Sequence, residues 1–176
     1  MLKSFAKPEI KLLDVGCGTG KFPSLLDRKF SGDVCLLSDL LDVSEYCLQQ
    51  SEQVFNSLEH FCCEGKYLTS VENIHSVLLP QNREYYDIIW AIHSWYTVDK
   101  NKLQKVVQAA MELLNKNGKL LIAQFSQKSS YYGLYDFYLK NHPSAQPDIS
   151  TFRTFLAPRF LDIAGMNFRQ YFRIPG

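Results

Sequence analysis

The sequence predicts an α/β fold built on a doubly wound, mostly parallel sheet. The first observation is an apolar segment at residues 10–15 that breaks into a glycine-rich turn, followed by helix-type apolar spacing over residues 21–30. Strand, glycine turn and helix in this order place a nucleotide-like ligand beyond the carboxyl end of the first strand. The second observation is the apolar run at residues 86–92, which is typical of a parallel strand buried on both faces. The length suits a single domain over residues 1–176.

The remaining elements are predicted from apolar spacing and from residues that begin or end helices. Ser44 and Asp99 are favourable N-cap residues, and Asn117–Gly118 fits a left-handed C-terminal cap. Further strands are predicted at residues 34–41, 60–63, 119–125 and 168–174. Further helices are predicted at residues 45–58, from Asp99 to Gly118, at residues 131–140 and, with Pro158 in its first turn, up to Gly165.

Composition excludes several classes of function. The net charge of +1 gives no basic footprint for nucleic acid, and no apolar run could span a membrane or serve as a signal peptide. The five cysteines form no Cys-x-x-Cys pair. His60 close to Cys62 and Cys63 could indicate a metal site, but buried, reduced cysteines are the better interpretation. We therefore expect a cytoplasmic protein without a metal and without a nucleic-acid or membrane partner.

The glycine turn carries the strongest functional signal. Asp14, Gly16, Gly18 and Gly20 form the pattern Asp-x-Gly-x-Gly-x-Gly, whereas a dinucleotide-binding turn has Gly-x-Gly-x-x-Gly. The glycines let the backbone approach a ligand closely. A carboxylate just before the first glycine would repel a pyrophosphate, but it suits a ligand that carries an ammonium and a sulfonium group.

The stretch Leu-Leu-Asp-Val-Gly-Cys-Gly-Thr-Gly at residues 12–20 resembles motif I of the class I S-adenosylmethionine-dependent methyltransferases. The resemblance implies a Rossmann-like fold and S-adenosyl-L-methionine as the cofactor. It also implies that the methionine part of the cofactor is enclosed by Asp14, Gly16, Cys17, Gly18 and Gly20.

The same resemblance implies where the rest of the cofactor lies. An acid at the end of the second strand would hold the ribose hydroxyl groups, and Asp39 and Asp42 both qualify. Asp42 is preferred because Asp-Val-Ser resembles the acid-x-Ser turn of the family, and a helix cap or a solvated edge residue is the alternative for either acid. The loop after the third strand would flank the adenine, with Glu64, Thr69 and Ser70 as candidates.

A looser resemblance, from residue 12 to residue 174, is to the histamine N-methyltransferase-like branch. Its points are Val-Cys at residues 34–35 leading to Leu-Leu-Asp-Val-Ser, Asp-Ile-Ile-Trp-Ala-Ile-His-Ser-Trp-Tyr at residues 87–96, and Leu-Leu-Ile-Ala at residues 120–123. It implies that Ile92 touches the cofactor and that His93 and Tyr96 face the substrate. His93 would accept the proton of an amine or hold it by a hydrogen bond; the alternative is a polar group satisfied at a strand end. An aromatic box for the substrate could comprise Trp95, Tyr96, Tyr131 and Tyr132, although a place in the core is the alternative for Trp95.

Two departures from the family bear on activity. The family has helices before motif I that help to close the pocket, whereas nine residues precede Ile10 here. The family sheet also has an antiparallel seventh strand inserted between strands five and six, whereas this chain ends at Gly176, directly after the predicted sixth strand. We expect a fragment, a short isoform or a reduced domain, whose open sheet edge invites pairing into a homodimer.

The leading hypothesis is an S-adenosylmethionine-dependent methyltransferase that acts on a small molecule, at an amine nitrogen. Because the cofactor supplies the reactive group, the protein mainly binds, aligns and desolvates the reactants. The alternatives are transfer to oxygen or to a protein side chain, and a catalytically silent cofactor-binding or pairing module. A nicotinamide oxidoreductase is disfavoured by Asp14 and by the glycine spacing.

Overall fold

The structure is a computed structural model that describes residues 9–30, 33–78 and 86–124, together with residues 137, 140 and 141. Within these residues, five strands form one parallel sheet in the order β3-β2-β1-β4-β5. The strands are β1 Glu9–Val15, β2 Cys35–Asp42, β3 Phe61–Leu68, β4 Tyr86–Ile92 and β5 Leu114–Ala123. The helices are α1 Lys21–Asp27, α2 Glu45–Phe55, α3 Ile74–Leu78 and α4 Lys100–Glu112, with short 3-10 helices at Val71–Asn73 and Trp95–Thr97.

The sheet separates two apolar layers, which confirms the doubly wound α/β prediction. Successive side chains of a strand point to opposite faces, so Leu12 and Leu13 of β1 enter different layers. Leu12 packs with apolar residues of α1 and α2, whereas Leu13 packs with those of α3 and α4. Both side chains are fully buried, and burial of each contributes about 1.5–3 kcal/mol. Because all the strand pairs are parallel, the carboxyl ends of the strands lie at the same edge of the sheet.

The predicted caps at the starts of α2 and α4 are present. The hydroxyl oxygen of Ser44 accepts a hydrogen bond from the backbone N–H of Cys47 at 3.3 Å. A carboxylate oxygen of Asp99 accepts one from the N–H of Asn101 at 2.8 Å. Each cap satisfies a backbone donor that the helix itself leaves unpaired. The strand at Tyr86–Ile92 also has the predicted bounds.

The predicted end of α4 is wrong. The helix ends at Glu112, and β5 begins at Leu114, so Asn117–Gly118 belongs to a strand and not to a left-handed cap. A Cβ atom at Gly118 would lie 2.7 Å from the carbonyl oxygen of Tyr86. The glycine is therefore required because β5 passes unusually close to the backbone of β4.

The predicted bounds of the third strand and of the first helices also need correction. β3 continues to Leu68, and a register shift opposite Ser38 and Asp39 lets the strand keep pairing with β2 beyond Cys63. Glu64 consequently lies in the strand and not in the loop that follows it. Helix α1 ends at Asp27 and α2 at Phe55, each three residues earlier than predicted.

Several predictions fall on residues outside the described ranges. These are the helix after Pro158, the sixth strand at residues 168–174 and most of the helix at residues 131–140, of which Phe137, Lys140 and Asn141 are described as helical. In the described part of the chain, no helix has both the length and the apolar character needed to cross a membrane. All five cysteines are free thiols.

Candidate functional site

A cavity of about 300 Å³ opens at the carboxyl ends of β1, β2 and β4. Its wall is built from the glycine turn after β1, the residues that follow β2, the loop after β3 and the turn after β4. The strand order reverses between β1 and β4, and open α/β sheets bind ligands in the crevice at such a switch point. The fold therefore places a cavity where the sequence predicts a ligand.

Gly16 and Gly18 of the turn are glycines for different structural reasons. Gly16 has φ of +73°, its N–H donates to the carbonyl oxygen of Leu41 at 2.7 Å, and a Cβ atom there would lie 2.2 Å from the Cβ of Ser94. Gly18 has φ of +53°, but no atom lies within 4 Å of the place its Cβ would take. Gly16 is therefore needed for packing, whereas Gly18 presents bare backbone to the cavity.

Asp42, the last residue of β2, connects the glycine turn to the start of α2. One of its carboxylate oxygens accepts the N–H of Gly18 at 3.0 Å, and the other accepts the N–H of Ser44 at 2.9 Å. Each oxygen retains a further lone pair for a ligand, and the residue lines the cavity. Asp39 lies deeper in β2, is buried, and accepts a hydrogen bond from the hydroxyl of Tyr86 at 2.6 Å. The structure thus brings Asp42, and not Asp39, to the cavity.

Asp14 lies just below the glycine turn and has an unusual environment for a carboxyl group. Its side chain is 4% exposed, and burial raises its pKa from 3.8 to about 7. The nearby indole of Trp90 opposes this rise without making a hydrogen bond of normal geometry, and the charge of Asp42 adds to it. The negative form of Asp14 is therefore costly unless a cation comes close to it.

The turn after β4 presents a histidine to the cavity. The backbone N–H of His93 donates to the carbonyl oxygen of Ala123 at 2.8 Å, and the hydroxyl of Ser94 donates to the carbonyl oxygen of Val15 at 2.7 Å. These bonds connect the turn to β5 and β1. Desolvation lowers the pKa of His93 from its usual value, which favours the neutral imidazole. Its Nδ1 lies 2.7 Å from the hydroxyl oxygen of Tyr96.

A family model described as a methyltransferase domain matches residues 2–168. The chain belongs to this methyltransferase domain family. No curated protein matches its sequence significantly.

Solved structures of two methyltransferases and of a cyclopropane synthase share the fold of this methyltransferase domain. A carbon methyltransferase, CurJ, is 19% identical with a TM-score of 0.54, over 75% of this chain and 33% of that one. An S-adenosylmethionine-dependent methyltransferase of Leishmania major is 18% identical with a TM-score of 0.51, over 66% of this chain and 42% of that one. The cyclopropane synthase MmaA2 of Mycobacterium tuberculosis is 17% identical with a TM-score of 0.51, over 92% of this chain and 48% of that one. The domain thus spans less than half the length of each of these proteins.

The methyltransferase domain brings about half of the predicted site residues to the cavity wall. Those that line it are Gly16, Gly18, Asp42, Ser70 and His93. Those that do not are Asp14, Cys17, Gly20, Ile92 and Tyr96. Cys17 and Ile92 pack into the apolar layer beneath α1 and α2, and Gly20 approaches Val54 of α2. The roles of all these residues in binding or catalysis stay predictions.

Some cavity residues of the methyltransferase domain were missed from sequence. The apolar side chains Val43 and Val71 line the wall on the side of β2 and β3, and Val43 is 73% exposed. Val43 could have been predicted as a cavity residue from its position directly after Asp42, at the carboxyl edge of the sheet. Trp95 is 1% exposed and belongs to the core, as one of its two alternatives had it. It also lines the cavity, so a place in the core does not rule out contact with a ligand.

Proposed function

We propose that this domain binds S-adenosylmethionine and transfers its methyl group to a small molecule, at an amine nitrogen. The observation that carries the proposal is the pairing of Gly18 with Asp42 at the cavity wall. This pairing puts bare backbone and a carboxylate with spare lone pairs side by side at the switch point of the sheet. Membership in the methyltransferase domain family supports the reaction class.

The residues at the cavity fit the chemical groups of this cofactor. The carboxyl group of Asp14 does not line the cavity, but it is buried just below the glycine turn, where a cation held in the cavity would stabilise its negative form. Asp42 would hold the ribose hydroxyls through its spare lone pairs. The apolar surfaces of Val43 and Val71, with Ser70 beside them, would contact the adenine.

The cofactor supplies an activated methyl group on its sulfonium centre, so the chain itself needs no nucleophile. The glycine turn and Asp42 orient the bound groups in the cavity. Desolvation lowers the pKa of His93, which favours the neutral imidazole, the form that can accept the proton released by the methylated amine. A proton acceptor at the cavity wall fits a nitrogen acceptor, which must lose a proton when it takes the methyl group.

Calorimetric titration tests the cofactor first. We expect S-adenosylmethionine and S-adenosylhomocysteine to bind with micromolar affinity, about 8 kcal/mol, and NAD not to bind. Asp42→Asn should weaken binding at least tenfold, since an amide offers one oxygen acceptor where the carboxylate offers two. Glu64→Gln is the matched control, because it neutralises an exposed carboxylate on β3 away from the cavity and should leave affinity unchanged.

Turnover tests the reaction separately. The domain should produce S-adenosylhomocysteine in the presence of the right member of a panel of small amines. Production only with alcohols, carbon acids or protein substrates would refute the nitrogen acceptor. Binding without turnover for any acceptor would identify a silent cofactor-binding module, and a folded domain that binds neither sulfur ligand would refute the whole proposal.

A further inference from the structure

In the described part of the chain, two carboxylates line the cavity without a cationic partner. The first belongs to Asp42, which accepts the backbone N–H groups of Gly18 and Ser44 at 3.0 and 2.9 Å. The ion pairs between described residues involve other acids. Because both donors to Asp42 are neutral groups, the negative charge of this carboxylate stays uncompensated at the cavity wall.

The second carboxylate belongs to Glu72, in the short 3-10 helix Val71–Asn73 that follows β3. It accepts a hydrogen bond from the hydroxyl of Ser70, and the backbone N–H of Glu72 donates to the same hydroxyl oxygen at 3.3 Å. Ser70 also lines the cavity, so these two bonds hold the carboxylate beside it. A hydroxyl group has no net charge, and the negative charge of Glu72 is therefore uncompensated as well.

The rest of the described wall supplies no fixed positive charge. None of the described residues that line the cavity is a lysine or an arginine. Among them, His93, whose φ is +57°, is the one residue that can become cationic. Desolvation lowers its pKa, which favours the neutral imidazole. The described wall is therefore negatively charged, and a positively charged ligand gains from entering the cavity.

We propose that Glu72 determines specificity for ligand charge, so that the cavity prefers cationic S-adenosylmethionine to S-adenosylhomocysteine, which has no net charge. This rests on the proposed function, because it specifies which form of the cofactor the site prefers. On transfer, the bond between sulfur and the methyl group breaks, and its electron pair stays on sulfur. The lone pair of the acceptor nitrogen forms the new bond to the methyl group. The by-product thereby loses the charge that the wall attracts, and it leaves more readily.

The size of the cavity bounds the strength of this preference. A rounded space of about 300 Å³ is roughly 8 Å across, so a charge inside it lies within that distance of the wall. At that separation, one pair of opposite unit charges changes affinity about 2-fold in bulk water and about 30-fold at an effective dielectric constant of 20. The site lies between these limits, and we expect Glu72 to favour the cationic ligand about fivefold.

Calorimetric titration of the full chain with three ligands tests the preference. The ligands are S-adenosylmethionine, S-adenosylhomocysteine and sinefungin, in which a carbon that bears an ammonium group replaces the methylated sulfonium. Sinefungin keeps the positive charge but has no methyl group to transfer. At low ionic strength, both cationic ligands should bind at least about fivefold more tightly than S-adenosylhomocysteine.

Glu72→Gln separates the effect of charge from that of hydrogen bonding. The amide keeps an oxygen that can accept the hydroxyl of Ser70, but it removes the negative charge. The substitution should weaken binding of S-adenosylmethionine and sinefungin about fivefold and leave that of S-adenosylhomocysteine within about twofold. Glu64→Gln, which neutralises an exposed carboxylate on β3 away from the cavity, is the matched control and should leave all three affinities unchanged. Asp42→Asn should instead weaken all three ligands, because they share the ribose.

Equal affinity of the wild type for the three ligands, or tighter binding of S-adenosylhomocysteine, would overturn the proposal. Unchanged affinities in Glu72→Gln would also overturn it. An equal loss for all three ligands in that variant would do the same, since Glu72 would then contact a group common to them. Failure of the proposed function is distinguishable, because it is seen as a folded wild type that binds neither sulfur ligand, and that outcome refutes both proposals.

Discussion

Replacement of Asp14 by asparagine should stabilise the domain above neutral pH. The carboxyl group is 4% exposed, and burial raises its pKa to about 7, with Trp90 opposing and Asp42 reinforcing the shift. The carboxylate is therefore an energetic burden to the folded protein when no cation is near it. Asparagine has nearly the same shape and carries no charge at any pH. The substitution removes this burden and leaves the surrounding packing in place.

The size and sign of the effect follow from the pKa. The folded value of about 7 exceeds the ordinary value of 3.8 by roughly 3 units, and each unit corresponds to about 1.4 kcal/mol. Between these two values the folded state holds a proton that the unfolded state has released, so stability falls as the pH rises. The loss is complete above pH 7 and amounts to about 4 kcal/mol. Asp14→Asn should thus match the wild type near pH 4 and exceed it by up to that amount at pH 8.

Urea unfolding at intervals between pH 4 and pH 8 measures this difference. Glu64→Gln serves as the control, since it removes an exposed carboxylate from β3 and should stay parallel to the wild type over the whole range. Curves for Asp14→Asn and the wild type that also run parallel would refute the reasoning about burial. Saturating S-adenosylmethionine should stabilise the wild type more than the variant, because its ammonium group would compensate the buried carboxylate.

Three further predictions concern single side chains. Gly16→Ala should lower the urea midpoint far more than Gly18→Ala, because only at Gly16 would the new Cβ meet a side-chain carbon, at 2.2 Å; equal losses would contradict this. Tyr86→Phe removes the hydrogen bond to buried Asp39 and should cost about 1.5–3 kcal/mol in the same assay, so an unchanged midpoint would be the contrary result. His93→Gly relieves the positive φ and should raise stability by up to about 1 kcal/mol while abolishing turnover; a less stable variant would argue against strain.

The parts of the fold that were predictable from sequence depend on local spacing. The alternation of strands and helices, the bounds of Tyr86–Ile92 and the caps at Ser44 and Asp99 all follow from residues near each other in the chain. The end of α4 does not, because Gly118 is required by its approach to a carbonyl group about thirty residues earlier. Its sequence neighbour Asn117 made a helix cap the natural but incorrect prediction.

Contacts with distant residues also limit what the sequence predicts at the site, as the choice between Asp39 and Asp42 shows. Both are acids near the end of one strand, and three residues along a strand move a side chain to the other face and about 10 Å towards the edge. Asp39 is satisfied in the core by Tyr86, which comes from two strands away in the sheet. Asp42 reaches the edge, where the backbone of the glycine turn supplies its partner. The sequence identifies both acids as candidates. It does not decide which one reaches the cavity, because Tyr86 and Gly18, which donate hydrogen bonds to them, are distant in the chain.

The glycine motif combines several physical requirements in one short pattern. Gly16 leaves room for Ser94, and Gly20 leaves room for Val54. These two glycines are therefore required by contacts within the protein. Of the three glycines, Gly18 alone has no neighbouring atom that a Cβ would meet. Asp14, below the turn, has a buried carboxylate that destabilises the folded protein above neutral pH. Residues that conflict with stability are expected where a site serves a ligand. Within this motif, Asp14 and Gly18 are therefore the positions at which substitution should separate cofactor affinity from folding.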